Sequence, residues 1–125
     1  MSTYFKSRIW VITLVLGMGL LLVACLGPKP VLQSYNVERP PAGSDQPFKV
    51  EAVIHNQGPG AGQVSVMVVL ENKQTGETIR QEEKDVVLDN GETQHVFFEM
   101  DLPISAKNMD PNNIDVHVDT HYPIE

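Results

Sequence analysis

Cysteine occurs once in this 125-residue sequence, as Cys25, and basic residues are few. A single thiol excludes any disulfide within the chain, so the folded core has to hold without covalent cross-links. Nine Lys and Arg residues stand against sixteen Asp and Glu residues, which gives a formal charge of −7 at pH 7. The basic footprint that nucleic-acid phosphates require is missing, and nucleic acid is therefore excluded as a partner.

Catalytic and phosphate-binding motifs are missing as well. The sequence has no cysteine pair at zinc-ligand spacing, no His-Glu-x-x-His and no Gly-Lys-Ser/Thr after a glycine-rich stretch. It also has no serine in a strand-turn-helix elbow, where a hydrolase would carry its nucleophile. We therefore expect a protein that is not an enzyme.

The N-terminal segment has the features of an export signal. Lys6 and Arg8 precede residues 9–26, which contain no charged residue. The apolar run closes on Leu22, Val23, Ala24 and Cys25, and this tetrapeptide resembles the lipobox of bacterial lipoprotein precursors. The resemblance implies that residues 1–24 are a lipoprotein signal peptide, cut off before Cys25.

In such lipoproteins the cysteine thiol receives a diacylglyceryl group, and the new amino terminus is usually acylated too. Two or three acyl chains make a lasting membrane anchor, whereas a single chain binds only reversibly. The resemblance thus predicts a protein of the bacterial cell envelope, lipid-anchored at Cys25, with its domain on the extracytoplasmic side. No cofactor is expected apart from this covalent lipid.

An alternative is that the signal is not cleaved. About 18 apolar residues are just long enough to span a bilayer, so residues 9–26 would then form a single transmembrane helix. The protein would in that case be a single-span subunit of a membrane complex. The positive-inside rule puts Lys6 and Arg8 in the cytoplasm in either case.

Cleavage would leave 101 residues, which suffices for one domain and not for two. This mature part carries seven basic and sixteen acidic residues, a formal charge of −9. Such a surface argues against adhesion to anionic lipid headgroups, and solubility alone explains it. Residues 25–30 comprise the lipidated cysteine and a short tether that contains two prolines. The five tether residues, 26–30, extend at most about 17 Å.

The rest of the chain alternates between apolar and polar residues, as half-buried antiparallel strands do. We predict strands at residues 31–37, 48–56, 64–71, 77–84, 85–88, 93–102 and 114–119. No helical period follows Cys25. About seven short strands separated by Gly, Pro and Asn turns indicate an all-β protein, a Greek-key β-sandwich. The residues expected to point inward are Leu32, Val37, Phe48, Val50, Ala52, Ile54, Val64, Val66, Val68, Leu70, Val96, Phe98, Met100, Ile114, Val116 and Val118.

Four stretches of this pattern carry a family resemblance: residues 48–58, 63–70, 87–93 and 96–100. They resemble the bacterial cell-adhesion-related domain known as CARDB, and other immunoglobulin-like and fibronectin-type modules. The resemblance implies an immunoglobulin-like sandwich over residues 31–125 that acts as a binding or structural accessory, with no catalytic residues. At Asn56 it implies a side chain that caps a turn, and at Gly91 a residue that tolerates positive φ.

The expected partner is another protein of the cell envelope, bound by edge-strand addition or through loops. Gly58, Pro59 and Gly60 are contact candidates because they lie in a glycine-rich turn. Met67 and Val69 are candidates because they make the second face of their strand unusually apolar. The alternative for that face is a central strand that a loop partly covers.

Metal or small-ligand binding is the second functional hypothesis. Asp115, His117, Asp119 and His121 alternate, so a straight strand places them all on its outer face, and such groups are ligands for a divalent ion such as zinc. Residues two apart on a strand are about 6.6–7 Å apart, so only neighbouring pairs could share one ion. An ordinary solvated face explains the same pattern.

Overall fold

The computed structural model describes residues 27–122, which form an all-β sandwich. The strands are β1 (Pro30–Glu38), β2 (Phe48–Asn56), β3 (Gly62–Asn72), β4 (Thr78–Leu88), β5 (Thr93–Met100) and β6 (Ile114–His121). Two antiparallel three-stranded sheets result. The first sheet has the order β1-β2-β5 and the second has the order β4-β3-β6.

The core lies between the inner faces of the two sheets, and the predicted inward residues fill it. β2 alternates buried and more exposed positions along its whole length, as period two requires. The predicted inward positions of β2, β3 and β5 are all buried, with Phe48 and Phe98 among the largest side chains. Leu32, Val37 and Val118 pack against this core but are only partly buried, since they lie on edge strands.

The two strands predicted at residues 77–84 and 85–88 are one strand, β4, and this part of the prediction is wrong. β4 pairs with β3 from Leu88 back to Thr78, with its single irregularity at the far end beside Leu70 and Glu71. At the point where the prediction divided the strand, Ser65 Oγ donates a hydrogen bond to the Asp85 carboxylate at 2.5 Å. The alternation of apolar and polar residues does not run through β4, because β4 is an edge strand whose polar residues face water. Residues 27–122 therefore contain six strands, not about seven.

The segment between the strands predicted at residues 93–102 and 114–119 contains two short 3₁₀ turns, Ile104–Ala106 and Pro111–Asn113. The second turn begins at Asp110, whose side chain accepts a hydrogen bond from the Asn112 N–H at 3.0 Å. Pro111 occupies the first position of that turn, where a missing N–H has no cost.

The sandwich has two ends with different loops. At the tether end, residues 27–29 lead into β1 beside the turns at residues 57–61 and 89–92. At the distal end lie the loops at residues 39–47, 73–77 and 101–113. Both sets of positions follow from the antiparallel pairing of β1 with β2 and of β3 with β4.

The predicted signal peptide, the lipobox and Cys25 lie outside the described residues. Within residues 27–122 there is no helix of the length and hydropathy needed to cross a membrane.

Candidate interaction surfaces

Asn56 organises the tether end. Its side chain is completely buried. Its Oδ1 accepts hydrogen bonds from the N–H groups of Lys29 at 3.0 Å and Gly58 at 2.9 Å. Its Nδ2 donates to the carbonyl oxygens of Gly60 at 2.9 Å and Asp89 at 3.1 Å. The turn-capping role expected of Asn56 is confirmed, and the same side chain also joins the residues before β1 to both turns.

Residues 27–29, assigned by the sequence to a tether, pack on the domain. Pro28 is buried, and the carbonyl oxygen of Lys29 accepts a hydrogen bond from the Gln57 N–H at 2.9 Å. A Cβ added to Gly58 would lie 2.5 Å from the Lys29 nitrogen and 2.8 Å from the Gly27 oxygen. Gly58 is thus a glycine because the chain that enters β1 passes directly over it.

Residues 27–29 therefore pack directly on the turn that contains Gly58, Pro59 and Gly60. Gly58 is buried, Pro59 is exposed and Gly60 is half-buried. Of these contact candidates, Pro59 offers the most accessible surface. Gly91, in the neighbouring turn, has a φ of 75°, in agreement with the conformational freedom expected of it.

Met67 and Val69 lie on the outer face of the second sheet. Both side chains are half-buried, because β3 is the central strand and side chains of β4 and β6 flank it. Gln81 Nε2 approaches the Met67 sulfur to 3.1 Å from β4. On the other side Asp119 is paired with Met67 and His117 is paired with Val69. The apolar strip is narrow, with polar residues on both sides.

The four proposed metal ligands lie along β6 on that same face, opposite alternate residues of β3. His117 Nε2 is 2.6 Å from Glu71 Oε2, so the nearest carboxylate to this imidazole is on β3 and not on its own strand. Within residues 27–122 no group of three His, Cys, Asp or Glu side chains is close enough to hold a metal ion together. The structure spaces Asp115, His117, Asp119 and His121 along the strand and does not gather them.

The first sheet exposes an aromatic residue that was not selected from the sequence as a contact. Phe97 is 61% exposed on the outer face of β5, paired with Glu51 of β2. It lies in a shallow depression with Lys49 and Glu99, next to a contact in which His95 Nδ1 is 2.5 Å from Glu51 Oε1. The signal was present in the sequence: Phe97 takes an outward position between the inward Val96 and Phe98, where a polar residue is usual.

Comparison with protein families and with curated proteins finds no match for this sequence. Among solved structures, the crystal structure of DesR, a β-glucosidase from Streptomyces venezuelae in complex with D-glucose, is similar over 59% of this chain with a TM-score of 0.48 and 22% identity. The matched region covers 10% of that enzyme's chain. A similarity of this size carries no inference about fold or activity.

Proposed function

We propose that this protein is a bacterial lipoprotein that displays one immunoglobulin-like sandwich close to a membrane and serves as a non-catalytic binding or structural accessory to another envelope protein. The observation that carries the proposal is the position of Cys25. It closes the Leu22-Val23-Ala24-Cys25 sequence, and only Leu26 separates it from Gly27, where the described domain begins.

The packing of residues 27–29 supports an anchoring role for this end. Because Lys29 is hydrogen-bonded to both Asn56 and Gln57, the chain is fixed to the domain within a few residues of Cys25. Two residues of chain extend at most about 7 Å. A lipid on Cys25 would thus hold the tether end against the bilayer and leave both sheet faces and the distal end for a partner.

The order of the strands supports an immunoglobulin-like fold. In such sandwiches strands A, B and E form one sheet, and strands C′, C and F are neighbours in the other. The orders β1-β2-β5 and β4-β3-β6 agree with this arrangement. A further strand, G, lies beside strand F in that fold, which corresponds to the outer edge of β6.

Both sheet faces and the turn at residues 58–60 are candidates for the partner contact. Phe97 is the larger exposed apolar group, and aromatic side chains are enriched at protein interfaces. Met67 and Val69 lie on the opposite face and are more shielded. The turn at Gly58, Pro59 and Gly60 would face the membrane if Cys25 is lipidated, so its contacts would be with the membrane-proximal part of a partner.

Photo-crosslinking in native membranes tests this function. A photoreactive phenylalanine analogue is placed at Phe97 or at Met67 of the full chain, and a matched control carries it at Gln74, an exposed residue of a distal turn. The proposal predicts a discrete adduct with one envelope protein from at least one sheet face and none from position 74. Absence of a protein adduct from both faces would overturn an accessory role that uses the sheets.

A further inference from the structure

The outer face of the first sheet carries two neighbouring rows of side chains that cross all three strands. One row ends on the exposed aromatic ring, and the other contains a basic residue between two acidic ones. In the strand order β1, β2, β5, the rows are Asn36, Glu51 and Phe97, then Glu38, Lys49 and Glu99. These six residues line the shallow depression around the ring and form the Phe97 patch.

The Phe97 ring differs from the two buried phenylalanine rings of the sandwich in its relation to cations. The Arg39 guanidinium lies 5.9 Å from the centre of the Phe48 ring, and Lys84 Nζ lies 5.1 Å from the centre of the Phe98 ring. Within residues 27–122 no Lys or Arg is placed in this way over Phe97. Because the face of an aromatic ring attracts cations, the Phe97 ring can accept one from another molecule.

Both the ring and its neighbouring carboxylate are held in place. Lys84 Nζ donates a hydrogen bond to the Phe97 carbonyl oxygen, and the next residue, Phe98, is buried in the core. The Glu51 carboxylate is oriented by His95, whose Nδ1 is 2.5 Å from Glu51 Oε1. Groups that are fixed before a ligand arrives lose less conformational entropy when they bind it. The patch therefore presents an aromatic face beside a positioned carboxylate.

The charge of the patch favours a basic occupant. The carboxylates of Glu38, Glu51 and Glu99 stand against the single ammonium of Lys49, so the formal charge of the patch is −2. An anionic group would be repelled by the three carboxylates. A wholly apolar segment would take these charged groups out of water without giving them partners, which is costly. A cation, by contrast, is attracted by both the ring face and the carboxylates.

Among basic side chains, arginine suits this arrangement best. Its planar guanidinium stacks on an aromatic ring while its N–H groups bind a carboxylate, whereas a lysine ammonium is a compact, strongly hydrated charge. Glu51 lies opposite Phe97 with Cα atoms about 4.5–5.5 Å apart, and Glu99 lies about 6.6–7 Å along β5. A guanidinium over the ring is thus within reach of both carboxylates. The depression has a volume of about 230 Å³, below the roughly 300–1,000 Å³ of small-molecule pockets, which fits a single side chain.

We propose that the Phe97 patch binds an arginine side chain of the envelope partner, with the guanidinium stacked on Phe97 and hydrogen-bonded to Glu51 and Glu99. This assignment rests on the proposed accessory function, because the arginine belongs to the partner protein. Lys49 lies beside the bound guanidinium and opposes it. Removal of an acidic residue and removal of the basic one therefore have opposite effects on binding.

Photo-crosslinking from beside the ring tests the site in native membranes. A photoreactive residue replaces Asn36 of the full chain, an exposed position in the patch, so that Phe97 and all the charged residues of the patch stay. The adduct is expected to map to a partner segment that contains an arginine. An adduct on a segment without arginine would overturn the arginine site and leave the accessory function standing. An adduct from Met67 but none from position 36 would also overturn it, whereas no adduct from either face would overturn the function itself.

Substitutions in the chain labelled at position 36 separate a cation site from a merely apolar contact. Phe97→Leu keeps an apolar group but removes the ring, and we expect the adduct yield to fall about fivefold. Glu99→Gln is expected to lower the yield about threefold, and Lys49→Gln to raise it. Glu77→Gln, at an exposed position of a distal turn, is the matched control and should leave the yield unchanged. An unchanged yield in Phe97→Leu, or a higher one in Glu99→Gln, would contradict the proposal.

A titration of the purified protein does not need the partner. The full chain with Cys25→Ser, which removes any lipid, is titrated in detergent with N-acetylarginine amide and, separately, with the neutral N-acetylcitrulline amide. The amide NMR signals of Glu51, Phe97 and Glu99 are expected to shift at least about threefold more with the arginine probe, and this excess should disappear in Phe97→Leu. Equal or absent shifts with the two probes, or an excess that persists in Phe97→Leu, would overturn the site. Neither result depends on the proposed anchor.

Discussion

The Oδ1 atom of Asn56 accepts a hydrogen bond from the backbone N–H of Lys29 at 3.0 Å, across 27 residues of sequence. This bond fixes the segment that precedes β1 to the end of β2. Together with the Gln57-to-Lys29 backbone bond it makes residues 27–29 part of the folded domain. An anchor attached just before Gly27 would thus act on the whole sandwich and not on a loose tail.

Asn56→Ala should be strongly destabilising. It removes the acceptor of the Lys29 and Gly58 N–H groups and the donor to the Gly60 carbonyl, and the Gly58 bond is fully buried. An unsatisfied buried group costs about 1–3 kcal/mol. We expect a loss of about 3 kcal/mol or more in the free energy of unfolding by urea, with Asn36→Ala, at an exposed site on β1, within about 0.5 kcal/mol of wild type. Equal effects of the two substitutions would contradict the role given to Asn56.

Gly58→Ala should be more harmful than Gly91→Ala. The added Cβ at Gly58 meets backbone atoms of Lys29 and Gly27, which cannot rotate away. At Gly91 the space is open and only the φ of 75° opposes alanine, a cost of about 1 kcal/mol. Thermal unfolding of the two variants gives the comparison. A smaller loss at Gly58 would mean that residues 27–29 are not packed on this turn.

Thr120→Val should stabilise the protein. Thr120 Oγ1 is buried and has no hydrogen-bond partner among the described residues, so an isosteric methyl group removes a desolvation cost of about 1 kcal/mol. Thr93→Val is the matched control, because Thr93 Oγ1 is 2.8 Å from His55 Nδ1 at an exposed site. Urea unfolding should give a higher midpoint for Thr120→Val only. A lower midpoint would indicate that the Thr120 hydroxyl is bonded.

Arg39→Lys should destabilise the junction between the distal end and β6. The Arg39 guanidinium donates from Nη1 to the Pro111 carbonyl at 2.7 Å and to the Ile114 carbonyl at 2.6 Å, and it lies 5.9 Å from the centre of the Phe48 ring. An ammonium group does not reproduce this planar arrangement. We expect a loss of about 1–2 kcal/mol from urea unfolding. Arg80→Lys, with one exposed bond to Asp101, should change stability by less than about 0.5 kcal/mol. Equal losses in both variants would contradict this account.

The parts of the fold that were predictable from the sequence are those in which burial is one-sided. β2 has the predicted bounds because the inward residues Phe48, Val50, Ala52 and Ile54 are apolar and the residues between them are polar or half-exposed. β4 was predicted as two strands because an edge strand can be polar over most of its length. The packing of residues 27–29 was missed for another reason: it depends on Asn56 and Gly58, which are remote in sequence.

In the candidate surfaces too, some features follow from local alternation and others depend on residues that are remote in sequence. The outward positions of Met67 and Val69 on β3 follow from alternation, as do those of the four proposed metal ligands on β6. The structure places all of them on one face. The approach of Glu71 to His117 depends on the register between β3 and β6, which no local pattern specifies. The exposure of Phe97 likewise depends on which face of β5 remains uncovered.

The central claim is the lipid anchor at Cys25, and the intact mass of the protein purified from its native membrane tests it most directly. The account predicts a chain that begins at Cys25 and carries the added mass of a diacylglyceryl group, with or without a further acyl chain. A chain that retains the residues before Cys25 and carries no lipid would contradict it, and residues 9–26 would then have to be considered as a membrane-spanning helix.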